Sequence, residues 1–480
     1  MDRFKKTLFL PMETKAREFD SKLLIAHKAL EKGFSVVIGK KGEVYKLARV
    51  RGSGIFFYKD HTPMSTLMLE ELKVAGLNIV NMDEEGLSWP SPEIYKKRID
   101  NRVFQISDAV FAWGQKQYEQ LTRFSPGHDE KIHIVGNPRF DILHRKYRPF
   151  LINQAKYNLS EFEEGYVLIN SMFNSGNWNP LMYGTNSYVE HMQDRGLIKN
   201  DEDYKFYSKV SENDAKLFEV YVSLLKNLSK IFPNTRFIIR PHPDENHEKW
   251  RTLFRSIDNV EIKYSGSAVH WILGSKVLLF SGCTTAIEAW AMDKPTLRYD
   301  PLPETKYGPQ LPNKFGKTIK TEQEVIKELR NILSSSNERR FNVDPDYVQS
   351  YIKNGFSANS AETIVNILDS LYMNNDYIRN ESIFFLAELK KNIKLFLYFD
   401  IKKRWASRVF GKIKRIVAKT NIEKDSKIAQ AKAQKFPDLK KEEIKIGLNS
   451  LDKIIDQSED KKRKILKIAN NTYEIKNVNS

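Results

Sequence analysis

Val277-Leu278-Leu279-Phe280-Ser281-Gly282-Cys283-Thr284-Thr285-Ala286-Ile287-Glu288-Ala289 is the stretch that decides how this chain folds. Its first four residues are apolar without alternation, as in a strand buried on both faces of a parallel sheet. A short turn of Ser281, Gly282, Cys283 and Thr284 follows, and Thr285–Ala291 then reads as a helix that opens on hydroxyl side chains. The helix gives way to Thr296-Leu297-Arg298-Tyr299, another strand. Strand, tight polar turn, helix, strand is the repeating unit of a helix-covered parallel sheet.

The same alternation extends in both directions. Upstream lie the strands Tyr166-Val167-Leu168-Ile169-Asn170 and Arg236-Phe237-Ile238-Ile239-Arg240, separated by a helix predicted over 212–231; downstream, helices are predicted near 322–334 and 358–372. Nearer the start, Leu8-Phe9-Leu10 leads into a helix from about Arg17 to Lys32, with Leu23, Leu24, Ala26, Ala29 and Leu30 at helical spacing. Strands follow at 34–39, 55–58, 77–81, 109–114 and 132–136. The expected architecture is α/β: two doubly wound, Rossmann-like domains facing a cleft, with ligands at the carboxyl ends of the strands. The divisions read as 1–145, a connection at 146–165, a second domain at 166–372, and a basic tail at 373–480.

Composition narrows the class. The 480 residues are 41% hydrophobic and 12% aromatic, enough for sizeable cores. A lone cysteine, Cys283, forbids an intrachain disulfide and fits a reducing compartment. The basic start leads into a short strand, not a long apolar run, which argues against a secretory signal, and no run approaches bilayer-spanning length; a cytoplasmic protein is expected. Of the formal charge of +17, +12 lies in residues 373–480. Between 390 and 419 eleven Lys/Arg face one acid, Asp400, and Trp405, Val409, Phe410, Ile413, Ile416 and Val417 share a helical face. Residues 384–419 suit either a helix lying on an anionic membrane surface or one packed on the protein itself. Residues 420–480 read as solvated helix or unstructured tail. Nucleic-acid binding is not expected, because few aromatics interleave the basic run.

Three segments carry chemistry, each at the end of a predicted strand. Asp83-Glu84-Glu85-Gly86 follows Leu77–Asn81, and three adjacent carboxylates should push at least one pKa up toward a general base, unless they are solvated surface. Gly86 would let the backbone turn back. Arg240-Pro241-His242-Pro243 holds an imidazole between two prolines, which suits a phosphate, or else a rigid turn with a satisfied histidine. Ser281, Gly282, Thr284 and Thr285 open a helix whose free N–H groups suit a phosphate. Glu288 could reach a ribose hydroxyl or complete a cap. Glu13 and Arg17 after the first strand, and Asn170 and Asn174 after the first strand of the second domain, should border the cleft and contact substrate; a surface salt bridge is the plainer reading of the first two. No His/Cys cluster has metal-ligand spacing, so neither a metal nor a cofactor is expected.

Acidic-acidic-Gly, His-Pro and a Ser/Thr pair, here Glu84-Glu85-Gly86, His242-Pro243 and Thr284-Thr285, resemble in that order the motifs of bacterial sialyltransferases and polysialyltransferases. The latter two also resemble segments of capsule Kdo transferases and CDP-glycerol glycerophosphotransferases. Leu10-Pro11-Met12-Glu13 with Arg17-Glu18, and Val135-Gly136-Asn137-Pro138-Arg139-Phe140-Asp141, look like the bacterial surface carbohydrate biosynthesis protein family, over roughly residues 5–372. The resemblance implies a GT-B fold and a metal-independent glycosyltransferase of surface polysaccharide synthesis. It implies a nucleotide-sugar donor, CMP-linked and acidic, and a glycan or lipid-linked glycan acceptor. Glu84 would be the base, supported by Glu85 or Asp83; His242, Thr284 and Thr285 would hold the donor phosphate, and Glu288 would meet the ribose. A glycerophosphotransferase, a nucleotide-sugar epimerase and a non-catalytic scaffold are the rival classes.

Overall fold

The computed structural model describes residues 6–159 apart from 88 and 90, then 162–303, 311–334, 341–354, 357–376, 436–455 and 461–478. Its first sheet contains β1 (Thr7–Met12), β2 (Ser35–Lys40), β3 (Ile55–Tyr58), β4 (Asn78–Met82), β5 (Ala109–Ala112) and β6 (Ile132–Ile134). The second contains β7 (Tyr166–Asn170), β8 (Phe237–Arg240), β9 (Val260–Ile262), β10 (Ser275–Phe280), β11 (Thr296–Tyr299) and β12 (Lys317–Ile319). Two more strands, β13 (Arg463–Ala469) and β14 (Thr472–Asn477), come from the far end of the chain.

The order in the second sheet is β12-β11-β10-β7-β8-β9, all parallel. Numbered within its own domain this is the 3-2-1-4-5-6 order of doubly wound dinucleotide folds, reversing direction between β7 and β10. The first sheet runs β13-β14-β2-β1-β3-β4-β5-β6 and reverses between β1 and β3. The expected pair of Rossmann-like α/β domains is what the chain forms. Strands β3, β5, β7 and β8 are buried along their whole length, as their unbroken apolar sequences require.

Helix ends explain where sequence reading and structure part. The helix predicted from 212 begins at Asp201, because Asn200 accepts the Asp203 N–H and three acids fill its first turn. Residues 148–158 of the connecting stretch form a helix with Phe150 and Leu151 fully buried. The helix Ser360–Asp376 crosses back to pack on the first domain. Asp141 accepts the Ala361 backbone N–H at 2.7 Å, Lys6 pairs with Asp369, and Phe34 meets Tyr372 edge-on.

The reading of 420–480 as solvated or unstructured tail is corrected for its described part. Strand β14 pairs antiparallel with β2, β13 pairs with β14, and the helix Lys441–Ile455 packs on the helices Lys15–Glu31 (α1) and Arg148–Asn158. Polar composition concealed this because the apolar groups are few and well spaced: Ile444, Leu448 and Leu451 face inward, as do Tyr473 and Ile475. A buried ion pair fastens the unit, Arg463 donating to both oxygens of Asp452 at 2.5 and 2.6 Å while His27 sits 2.9 Å from Oδ1. The amphipathic stretch 384–419 lies outside the described residues.

Asp452→Asn leaves Arg463 buried beside a weakened acceptor, and a loss of about 3–5 kcal/mol is expected in urea unfolding; wild-type stability would show that the hairpin is held by other contacts. Burial lifts the Asp141 carboxyl to about 6, against its hydrogen bonds to Ala361 and Ser360. The folded state therefore binds the extra proton between pH 3.8, the ordinary carboxylate value, and about 6, so this group lowers stability as pH rises through that window. Relative to wild type, Asp141→Asn should gain up to about 3 kcal/mol between pH 4 and 7, read from unfolding curves at the two pH values; a constant difference would refute the assignment.

Candidate active site

At the reversal point of the second sheet, Asn170, Arg240 and Phe280 end their strands side by side in register. The loops that follow carry the second and third sequence-predicted segments, so His242 and Ser281–Thr285 both leave this edge. His242 is half-buried. Its Nδ1 accepts the Asp244 N–H at 3.3 Å, which puts the proton of a neutral ring on Nε2, an atom with no partner among the described residues.

What holds His242 there is a residue that sequence reasoning missed. Glu245 is fully buried. Its Oε1 accepts from Ser171 Oγ at 2.7 Å, Phe173 N at 3.0 Å and His242 N at 3.3 Å. Its Oε2 accepts from Trp250 Nε1 at 2.7 Å and Asn177 Nδ2 at 3.2 Å. Five donors replace the water that a buried carboxylate gives up, and they tie the loop after β7 to the loop after β8. The signal was Asp244-Glu245 directly after the His-Pro step.

Asn170 is 3% exposed, and neither Oδ1 nor Nδ2 has a partner among the described residues. Leaving a buried polar atom unpaired costs about 1–3 kcal/mol, so two on one side chain mark a place where a further group completes the bonding. Asn174 lies half-buried on the loop beyond. Gly282 has φ 64°, which favours glycine, and the space where a Cβ would point is open to 4 Å. Ser281, Thr284 and Thr285 are half-buried around it.

Three expectations change here. The helix Thr285–Ala291 has no side-chain cap at Thr284, and the Thr285 hydroxyl donates to Cys283 Sγ at 3.0 Å. Arg240 is consumed inside the fold: its guanidinium donates to the Ser265 and Gly266 carbonyls at 3.0 and 2.7 Å and lies over the Tyr264 ring, and burial lowers its pKa to about 10. Glu288 makes no cap; it accepts from Arg139 at 2.6 Å.

On the first wall the acidic triplet follows β4, and each carboxylate meets a cation, Arg98 being shared by two of them. Asp83, buried, accepts from Arg98 at 3.2 Å. Glu84 has a side chain only 2% exposed and lies 3.3 Å from buried Lys22. Glu85, 48% exposed, contacts Arg17 at 3.2 Å and Arg98 at 3.0 Å. The expected upward shift is reversed at Glu85: although burial opposes it, Arg17 and Arg98 hold its carboxyl below the usual range. The raised carboxyl is instead Glu18, unforeseen, buried in α1 beside Arg17 and Glu84. Gly86 serves packing and not a left-handed turn, since a Cβ there would strike Gln117 and come within 2.9 Å of the Asp83 carbonyl.

Glu13 and Arg17 do not pair with one another. Lys41 and Lys59 hold Glu13 at 3.0 and 2.8 Å and, against burial, bring its pKa down to about 2. His61, after β3, was also missed. It is buried against Phe104 with neither ring nitrogen partnered among the described residues, and burial lowers its pKa.

Arg139 joins the two walls. It donates to the Glu84 carbonyl at 3.2 Å and to Glu288 at 2.6 Å, so the acidic loop and the Thr285 helix are one guanidinium apart. His270 and Asp20 make a second link at 3.1 Å. These contacts bring the acidic loop of the first domain against the Thr285 helix of the second.

No protein-family model matches this sequence, and no curated protein does. Among solved structures the chain is similar to the wall teichoic acid polymerase TagF, at 13% identity and TM-score 0.47 over 77% of this chain and 89% of that one. It is similar to the UDP-GlcNAc 2-epimerase of Methanocaldococcus jannaschii, solved with UDP-GlcNAc and UDP, at 15% and 0.41 over 76% and 99%. The corresponding enzyme of Neisseria meningitidis gives 14% and 0.44 over 76% and 99%.

Glu245→Ala should lose on the order of 3 kcal/mol in urea unfolding, because five donors lose their acceptor together. Unchanged stability would mean that the loop holding His242 is fixed by other contacts.

Proposed function

We propose that the chain is a glycosyltransferase of surface-glycan synthesis that binds a nucleotide-activated sugar on the second wall and its acceptor on the first. The observation that carries this is Asn170: a buried amide with both polar atoms unpartnered among the described residues, at the strand edge from which the loops of His242 and Gly282 leave. A phosphate oxygen accepts from an imidazole N–H, and loop hydroxyls add further donors. Stabilising the departing nucleotide phosphate is the largest service such a wall offers. Ser281 and Thr284 supply the hydroxyls, since Thr285 already donates to Cys283, and Asn170 and Asn174 add amides from the end of β7 and its loop. The resemblance of the three motifs to sialyltransferases supports a CMP-linked acidic sugar; the geometry bears only on the phosphate.

In the transfer the acceptor hydroxyl forms the new bond to the anomeric carbon, the bond to the donor phosphate oxygen breaks, and the hydroxyl proton passes to a carboxylate. Glu84 was the expected base, but its carboxylate is sealed beside Lys22. We assign the base to Glu85, the one member of the triplet with an exposed carboxylate, and give Asp83 and Glu84 the task of holding the loop. Glu288 fixes Arg139 and so the distance between walls. Among the described residues no helix is long and apolar enough to cross a membrane; we propose that the chain meets the membrane peripherally, if its acceptor is lipid-linked.

The test is calorimetric binding of CMP, CDP, UDP and GDP to wild type and to His242→Ala. Selective CMP binding, weakened by about 1.5–3 kcal/mol in the variant, is expected for a hydrogen bond to a charged group. Preference for CDP or UDP would move the donor to CDP-glycerol or a UDP-sugar. Absence of any nucleotide binding would sink the enzymatic reading.

A further inference from the structure

Strand order reverses in the first sheet between β1 and β3, and ligands of doubly wound sheets sit outside such a point. Three cations converge there among the carboxylates. Lys59 follows β3, Arg17 lies in the first turn of α1 after β1, and Arg98 comes from the segment after β4. Both guanidinium groups close on one carboxylate, that of Glu85, at 3.2 and 3.0 Å. Arg17 and Arg98 are mostly buried while the Glu85 side chain is half in solvent. Each guanidinium also keeps an Nε–H with no partner among the described residues. A planar fork of donors around a half-exposed carboxylate is the geometry by which arginines take a carboxylate or phosphate from solution.

We infer that Arg17 and Arg98, with Lys59 beside them, form a binding site for an anionic group of the acceptor, a carboxylate or a phosphate, whose place Glu85 occupies when the site is empty. This rests on the first wall being the acceptor side. The exchange has a chemical consequence. Glu85 is held below the usual carboxylate range by the two arginines. An incoming anion that takes over those donors releases it to accept the proton of a neighbouring hydroxyl. The acceptor's own charge would thus expose the base, and a neutral acceptor would leave it capped. The charged groups facing Glu85 are Arg17 and Glu18 from α1, Lys59 after β3, Asp83 and Glu84 in its own loop, and Arg98. Glu18 and Glu84 are buried and Asp83 is already paired with Arg98, so among these groups Glu85 is the carboxylate free to swing outward.

The experiment measures binding of methyl glucuronide, glycerol 1-phosphate and neutral methyl glucoside to the full chain. All are measured on the His242→Ala background, so that the second wall adds no phosphate affinity. The expected result is that at least one anionic probe binds about tenfold tighter than the glucoside; which one tells carboxylate from phosphate. Glu85→Gln should tighten the anionic probe by about fivefold or more and leave the glucoside unchanged, whereas Arg17→Met should weaken the anion. Equal binding of charged and neutral probes would overturn the inference, as would an anion affinity indifferent to Glu85→Gln. Circular dichroism of each variant separates lost folding from lost binding, and Glu85→Gln gains affinity only if it folds. Nucleotide binding by wild type tests the donor wall separately, so either reading can fail alone.

Discussion

One guanidinium ties the acidic loop of the first domain to the Thr285 helix of the second. Arg139 stands just after β6, at the end of the first domain, and reaches a backbone carbonyl of the acidic loop and a carboxylate of the opposite wall. The Glu84 carbonyl does not titrate and does not move without moving its loop, so this contact reports position as well as charge. The Glu288 end is a short charged hydrogen bond, about twice as strong as a neutral one. A transfer reaction needs its donor and acceptor at near contact, and small misplacements are expensive. The proposed chemistry depends on this bridge more than on any one side chain of the triplet.

Each wall then solves the same problem, how to keep a carboxylate in a desolvated place, by a different route. On the second wall Glu245 is neutralised by dipoles: five N–H and O–H donors, each fixed in the backbone or the core. A group held by so many fixed donors is rigid. On the first wall Asp83, Glu84 and Glu85 are matched by Arg98, Lys22 and Arg17. The Asp83 and Glu84 carboxylates are buried in their pairs, whereas half-exposed Glu85 meets Arg17 and Arg98 at a partly exposed surface, where ion pairs are worth little in isolation and can exchange partners. The rigid second wall suits the proposed phosphate site, and the exchangeable contacts of Glu85 suit its proposed role as base.

The sheets were legible in the sequence because parallel strands must be apolar on both faces, and Val277–Phe280, Phe237–Ile239 and Ile55–Tyr58 carry that pattern without interruption. Short edge strands were not: Val260–Ile262 and Lys317–Ile319 have only three residues each and half-polar sequences. The β13–β14 hairpin was hidden for the same reason, its Lys-rich edge strand resembling solvated tail. Of the site, the three loops could be found because strand ends locate them, yet the partners of each group could not. Nothing within Asp83-Glu84-Glu85 tells that Lys22 lies under Glu84, because that pairing spans two elements brought together by tertiary packing. Mutual repulsion was therefore the wrong guide to the triplet, and local cation placement the right one.

The position of the arginine clamp is in turn decided far along the chain. Arg17 sits in the first turn of α1, and α1 is wedged between two late elements, the returning helix Ser360–Asp376 and the helix Lys441–Ile455. The second of these grips the start of α1 directly: Lys15 is 2.6 Å from Glu443 and donates to the Asp438 carbonyl at 2.9 Å, with Lys15 and Glu443 both buried. Arg17 is two positions after Lys15, less than one helical turn, so a shift at the Lys15 anchor passes to Arg17 almost undamped. The C-terminal unit is thus more than an extension of the sheet edge. By fixing the start of α1 it fixes where Arg17 stands, which ties the proposed acceptor wall to residues 436–455 and 461–478.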